Sequence, residues 1–363
     1  VPLLRAESPR SPGAMAGLVL AAVVGGLAAS LVLLGNPGNM GLCGACFLRD
    51  TAGSLGLFPA PAPRIFRPEV VGVAVGALLY RVFSSGFQAR SGSFAVSRLV
   101  LGAFMGIGAL VFLGCPFRML QRIGGGDLNA VVGAVGLVLG VGTAVQLEKR
   151  GYTVGKTSPV GAAVGLVGPF ILVLLFALFV TSDVLVGPGP GDSSGPPHAS
   201  FLVALSLAGV GGALLSATGF CAISATRQVF QKGKLMLMAA GLLVAGYALV
   251  NLVGGAFRLS FGGQPIAHGD HLSSILALYL VGLTGALAGG CPVRQIVMAG
   301  EGNGDAFVTV LGILMGGALA HTLGLASSGA GATTAGLIAV VLGIVASLVY
   351  GGAITLGARR AAP

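Results

Sequence analysis

Gly114-Cys115-Pro116-Phe117-Arg118 and Gly290-Cys291-Pro292-Val293-Arg294 are one five-residue pattern written twice, 176 residues apart. The ungapped register that joins them also aligns Gly106 with Gly282, Gly136 with Gly312 and Gly140 with Gly316. A second pair of segments matches at an offset of 178: Gly41-Leu42-Cys43-Gly44-Ala45-Cys46-Phe47-Leu48-Arg49 and Gly219-Phe220-Cys221-Ala222-Ile223-Ser224-Ala225-Thr226-Arg227. The chain therefore reads as a duplicated unit, and each copy holds two cysteine segments.

The composition says what surrounds those segments. Hydrophobic residues make up 55% of the 363 positions and charged residues 8%, with a mean hydropathy of +0.97. Ten acids and twenty bases cannot solvate so long a chain, which excludes water-soluble enzymes, nucleic-acid-binding modules and disordered scaffolds. The expected fold class is all-α, a polytopic membrane protein with the lipid bilayer as its solvent. The 64 glycines fit helices whose backbones approach closely.

Apolar stretches of spanning length lie near 16–36, 68–84, 97–113, 127–147, 162–182, 200–218, 235–252, 271–288, 304–323 and 334–357. Ten spans put both termini on one side. If that side is the cytoplasm, Arg5, Arg10, Arg81, Arg90, Arg98, Lys149, Arg150, Lys156, Lys232, Lys234, Arg359 and Arg360 fall inside, and Arg64, Arg67 and Arg258 outside. This separation explains the net charge of +10 as topology, and no nucleic-acid partner is expected. The expected organisation is a disordered tail at 1–15, a first repeat at 16–150, a linking span and external linker at 151–199, a second repeat at 200–325, and a final span and cytoplasmic tail at 326–363. The single linking span at 162–182 turns the second repeat upside down, the inverted architecture of many transporters. The segment at 16–36 has no small-residue cleavage site beside it and reads as the first span.

The cysteine segments are too short to cross a bilayer and are expected to be four re-entrant half-helices, which survive at membrane depth only when buried in protein or lining a wet cavity. In Gly-Cys-Pro-x-Arg the proline marks the first helical position, so Cys115 and Cys291 become N-caps. Half-helix N-termini and arginines that keep their protons favour an anion. An arginine follows a Cys or Ser by three residues in every segment: Cys46 to Arg49, Cys115 to Arg118, Ser224 to Arg227 and Cys291 to Arg294. A thiol beside a cation and a helix N-terminus ionises more readily and suits a soft partner bearing sulfur or selenium.

Other readings stand beside this one. A buried membrane cysteine is ordinarily packing, yet all five here fall in the repeated motifs, Cys46 least cleanly because its mate is Ser224. Cys43 and Cys46 could form a redox dithiol, making the chain a membrane thiol oxidoreductase. The arginines either contact substrate or clamp half-helix carbonyls. Asp127 and Asn303 read as N-caps. His268-Gly269-Asp270-His271 reads as a solvated loop, and His321 stands alone at a helix end. The Gly136/Gly140 and Gly312/Gly316 spacings are those of packed membrane helices. No metal, cofactor or catalytic residue is expected, and no Walker-type ATP-binding motif is present.

The stretches GNPGNMGLCGACFLRDTAG, FLGCPFRMLQRIGGGDLNA, GFCAISATRQ and LAGGCPVRQIVMAGEGNGD together resemble the YeeE/YedE membrane family, and within it the branch described as YedE-type selenium transporters. The resemblance spans 16–357, and the order of the four motifs carries it. It implies an hourglass-shaped protein of the cytoplasmic membrane that passes small sulfur or selenium compounds, thiosulfate among them, along a line of central cysteines. On this chain that line is Cys43, Cys115, Cys221 and Cys291. It also implies a small sulfur-carrier partner of the TusA or YedF type. The expected function is import of such a compound; a channel for a neutral hydride such as hydrogen selenide would leave the arginines as scaffolding.

Overall fold

The computed structural model describes residues 3–5, 11–59, 63–187 and 196–361. Proline sets several helix starts, because its missing N–H costs nothing in the first turn. It stands at the beginning of α1 (Pro12–Leu33), α3 (Pro68–Phe83), α5 (Pro116–Gly124) and α12 (Pro292–Gly300). The other helices are α2 (Gly44–Ser54), α4 (Ala95–Phe112), α6 (Leu128–Lys149), α7 (Ala162–Thr181), α8 (Phe201–Thr218), α9 (Ala222–Arg227), α10 (Leu235–Val253), α11 (His271–Leu287), α13 (Gly304–Thr322) and α14 (Thr334–Ala361). Side-chain caps act where the sequence points to them. Asp127 accepts from the Asn129 and Ala130 N–H groups at 2.9 and 3.3 Å, and Asn303 from Ala306 at 3.0 Å.

Nine helices among the described residues are long and apolar enough to cross a membrane, so the chain is an all-α polytopic membrane protein. The tenth expected span is α3, which at 16 residues is shorter than the rest. A two-residue antiparallel ladder, β1 (Arg90–Ser91) with β2 (Ser158–Pro159), interrupts the helical pattern. Within the expected tail at 1–15, Leu3–Arg5 form a 3-10 turn whose Leu4 packs against the bare Gly17 of α1, and α1 itself begins at Pro12; residues 1, 2 and 6–10 lie outside the described residues. The last helix continues past the expected end at 357 to Ala361. Residues 188–195 of the expected external linker lie outside the described residues. Arg67, assigned to the outside, and Arg98, assigned to the inside, are both buried. Arg67 pairs with Asp50 at 2.7 Å, and Arg98 reaches the Ala288 carbonyl at 2.9 Å.

The helices pair crosswise between the two copies. α1 packs on α10 and α3 on α8; α4 packs on α13 and α6 on α11. A Cβ on Gly136 or Gly140 would lie 2.0 or 2.1 Å from the carbonyl oxygens of Ile275 and Tyr279; on Gly312 or Gly316, 2.2 or 2.1 Å from those of Leu99 and Ala103. Each contact on the second list follows its counterpart by 176 positions or precedes it by 176, the offset of the sequence repeat. Lipid supplies no hydrophobic drive between helices, so this backbone-to-backbone approach is what holds them. Gly140→Ala and Gly316→Ala should each destabilise the protein by about 2 kcal/mol through overpacking. Gly241→Ala, whose Cβ would meet nothing within 4 Å, should leave thermal melting in detergent unchanged.

Candidate functional site

Four short helices, α2, α5, α9 and α12, hold the cysteine motifs, and a cysteine is the N-cap of every one. Cys43 and Cys221 share one backbone geometry, with φ, ψ of −141°, 112° and −151°, 126°. Cys115 and Cys291 share another, −81°, 170° and −71°, 163°. The second pair is fixed by the following proline, which biases the residue before it toward extended backbone. Local structure thus repeats with the sequence, although α9, at six residues, offers a weaker dipole than a full half-helix would.

The four N-termini meet in the interior. α12 packs on α2 and α5, and α5 packs on α9. Gly44 lets the start of α2 touch the start of α12, since a Cβ there would lie 2.6 Å from the Val293 nitrogen. Phe117 and Phe220 pack edge to face at 6.0 Å. The Cys43 sulfur accepts from the Cys46 N–H at 3.3 Å and interacts with the Cys115 thiol. In the other copy, the Cys221 sulfur accepts from the Cys291 N–H at 3.4 Å, and its thiol interacts with Cys291 and Ser224. Cys291 is in turn near enough to Cys115 for their charges to interact. The order in space is Cys43 with Cys46, Cys115, Cys291, Cys221, with a copy exchange at its centre. All five thiols are free and no more than 2% exposed, so the line is closed to bulk solvent in this conformation.

The four arginines divide. Arg227 is held by Glu148 at 2.5 and 2.6 Å, and Arg294 by Glu301 at 3.2 and 3.0 Å. Arg49 lies 2.6 Å from Asp50, a charge contact rather than an aligned hydrogen bond, and meets the His321 ring at 2.8 Å. Arg118 has no carboxylate within salt-bridge distance among the described residues. Its fully buried guanidinium donates to the carbonyls of Asn39 (2.9 Å), Leu113, Gly38, Ile266 and Pro265, and one nitrogen lies 4.0 Å from the Cys46 sulfur. Three of the four positive charges are spent on acids, and the fourth, held by carbonyls, comes within 4.0 Å of the Cys46 sulfur.

Sequence reasoning missed two residues that shape this site. Gln121 accepts from the backbone N–H groups of Gly41 and Leu42 at 2.9 and 3.2 Å and donates to the Leu42 carbonyl, fixing the loop that presents Cys43. Glu69, one residue into α3, is buried beside Cys43. An amide within FRMLQR and an acid after a proline were the available signals.

The remaining polar readings resolve into structure. His268 is buried, not solvated. Its ring meets the Val111 carbonyl at 2.9 Å, and burial pushes its pKa below the usual imidazole value. Asp270 caps α11, and hydrogen bonding from Ser273 holds its carboxyl below the ordinary carboxylate range. His271 bonds Asn129 at 2.7 Å. His321 is not alone: it stacks on Phe58 at 4.7 Å and meets Arg49. Among known proteins, no family model matches the chain and no curated protein matches it.

Proposed function

We propose that this protein is a membrane transporter that moves a small, soft chalcogen anion, thiosulfate-like or selenium-bearing, along the line of thiols. One observation carries the reading: N-cap thiols from both copies meet in one buried row, with the unpaired Arg118 charge beside them. A hard oxyanion would be held as well by hydroxyls; a row of sulfurs serves a polarisable partner. Each thiol offers a weak site, and several weak sites in series permit release. In this reading the short helices are re-entrant, the two repeats are inverted about a point between Cys115 and Cys291, and the chain sits in the cytoplasmic membrane with both termini inside. A carrier protein of the TusA or YedF type would take or supply the cargo at one mouth.

The experiment is uptake of labelled thiosulfate, selenite and hydrogen selenide, side by side, into proteoliposomes holding the intact chain. Accumulation of any one supports the proposal, and vesicles that gain none of the three above protein-free controls reject it. A second reading, thiol oxidoreductase, draws on the Cys43–Cys46 contact. It requires Cys46→Ser to be as damaging as Cys115→Ala, whereas a transport line tolerates the hydroxyl that Ser224 already places in the other copy.

Inversion has its own test. Thr157 and Asp183 are exposed on either flank of α7. With the five native cysteines removed, Asp183→Cys should react with an impermeant maleimide from outside intact cells, and Thr157→Cys only after permeabilisation. Labelling of both from one face would make the repeats parallel and end the inverted reading.

A further inference from the structure

A cavity of about 10 Å³ touches the thiol line at its Cys43 end, where it is lined by Leu42, Cys43, Gly44, Glu69, Val293 and Ile296 among others. Glu69 is 1% exposed. Its Oε1 accepts from the Asn36 side-chain nitrogen at 2.8 Å, while Oε2 has no hydrogen-bond partner. The Asn36 amide cannot turn away, since it also donates to the Gly41 carbonyl at 3.2 Å and accepts from the Ala199 N–H at 2.9 Å. Arg67 does not neutralise the carboxyl by direct contact, because its Nε is taken by Asp50 at 2.7 Å and its Nη1 by the Pro197 carbonyl. The charged groups that act on Glu69 are Arg67 and, more weakly, Asp50, while α12 faces it with apolar Val293 and Ile296.

A buried carboxyl with one free oxygen shares this space with a thiol. Two negative charges lining one small, mainly apolar cavity disfavour each other, so a charge on one of the pair favours a proton on the other. We propose that Glu69 is a proton-binding site coupled to Cys43, so that an anion arriving at the Cys43 end of the line is accompanied by one proton. When the thiol itself ionises, the Cys43 S–H bond breaks, its electron pair stays on sulfur, and the proton forms an O–H bond at Glu69 Oε2; no electrons are exchanged. When cargo occupies the N-cap, the same oxygen takes its proton from the aqueous side. The coupling deepens the anion-route reading of the thiols and rests on it. It also breaks the symmetry of the two copies, because the matching contacts of Gly76 on Gly209 and Gly246 on Ala22 set α3 against α10 at an offset of 170, and the residue that falls opposite Glu69 is Ala239. A proton joins the cargo at one end only.

The test has two arms. In pH-induced infrared difference spectra of the intact protein, one protonated-carboxyl band should vanish in E69Q, a variant that keeps the Oε1 acceptor for Asn36. The titration midpoint of that band should move in Cys43→Ala. In proteoliposomes containing a pH dye, uptake should be accompanied by a proton signal that falls at least tenfold in E69Q. If E69Q fails to fold, E69D retains the acid and should shift the band rather than abolish it. A band whose midpoint ignores Cys43, or uptake by E69Q with an undiminished proton signal, overturns the coupling and leaves the transport reading intact. A Cys43-dependent band in a protein that takes up none of the three compounds keeps the proton pair and rejects transport.

Discussion

Replacing Cys115 or Cys291 by alanine should reduce uptake at least a hundredfold while changing folded yield and melting temperature little. On the proposed route the two thiols lie between Cys43 and Cys221, where one copy would hand over to the other, so a gap there interrupts it. Neither side chain caps its own helix by a hydrogen bond. The change therefore removes one polarisable atom from a packed core, a loss of about 1 kcal/mol. Matched uptake and melting curves on both variants check this, and wild-type uptake by either would take that thiol off the route. Cys46→Ser should lose less than tenfold, because it lies beside the line.

Arg118→Lys should destabilise the protein by about 3 kcal/mol or more and remove uptake with it. An ammonium has three donors on a flexible stem, whereas the guanidinium meets five backbone carbonyls in fixed directions. Lysine would leave several of those acceptors buried and unpaired, at about 1–3 kcal/mol each. Arg294→Lys is the control. Its partner is the Glu301 carboxylate, which also takes Arg81 at 3.0 Å and Ser216 at 2.7 Å, so an ammonium can still pair there. Melting curves in detergent with uptake on the same samples separate the two; equal behaviour would mean that Arg118 has no special place beside the thiols.

How much of this was legible in the sequence follows from how local each signal is. Cys-Pro announces an N-cap because the constraint involves two adjacent residues, and Cys115 and Cys291 are N-caps. Asp127 and Asn303 were readable for the same reason. The glycines at 136, 140, 312 and 316 carried the repeat register because only a missing side chain permits that backbone approach. The arginines were not readable. What decides between a clamp and a charge facing substrate is whether an acid arrives from a distant helix, and Glu148 lies 79 residues from Arg227. His268 was misread as solvated because its loop folds back into the protein, and the burial of Arg67 and Arg98 was not legible because their partners, Asp50 and the Ala288 carbonyl, come from other elements. Glu69 was invisible for a related reason. The first turn of α3 lies beside the cavity that Cys43 lines, and a window tuned to spanning length treats that turn as membrane edge.

The central claim is that the row of sulfurs is the route. The most direct measurement compares the intact chain with one in which all five cysteines are alanine, reconstituted at equal density, once melting shows that both are folded. The account predicts that the cysteine-free chain takes up none of the labelled thiosulfate, selenite or hydrogen selenide above protein-free vesicles, while the intact chain accumulates at least one. Uptake by the cysteine-free chain within twofold of the intact protein would contradict it.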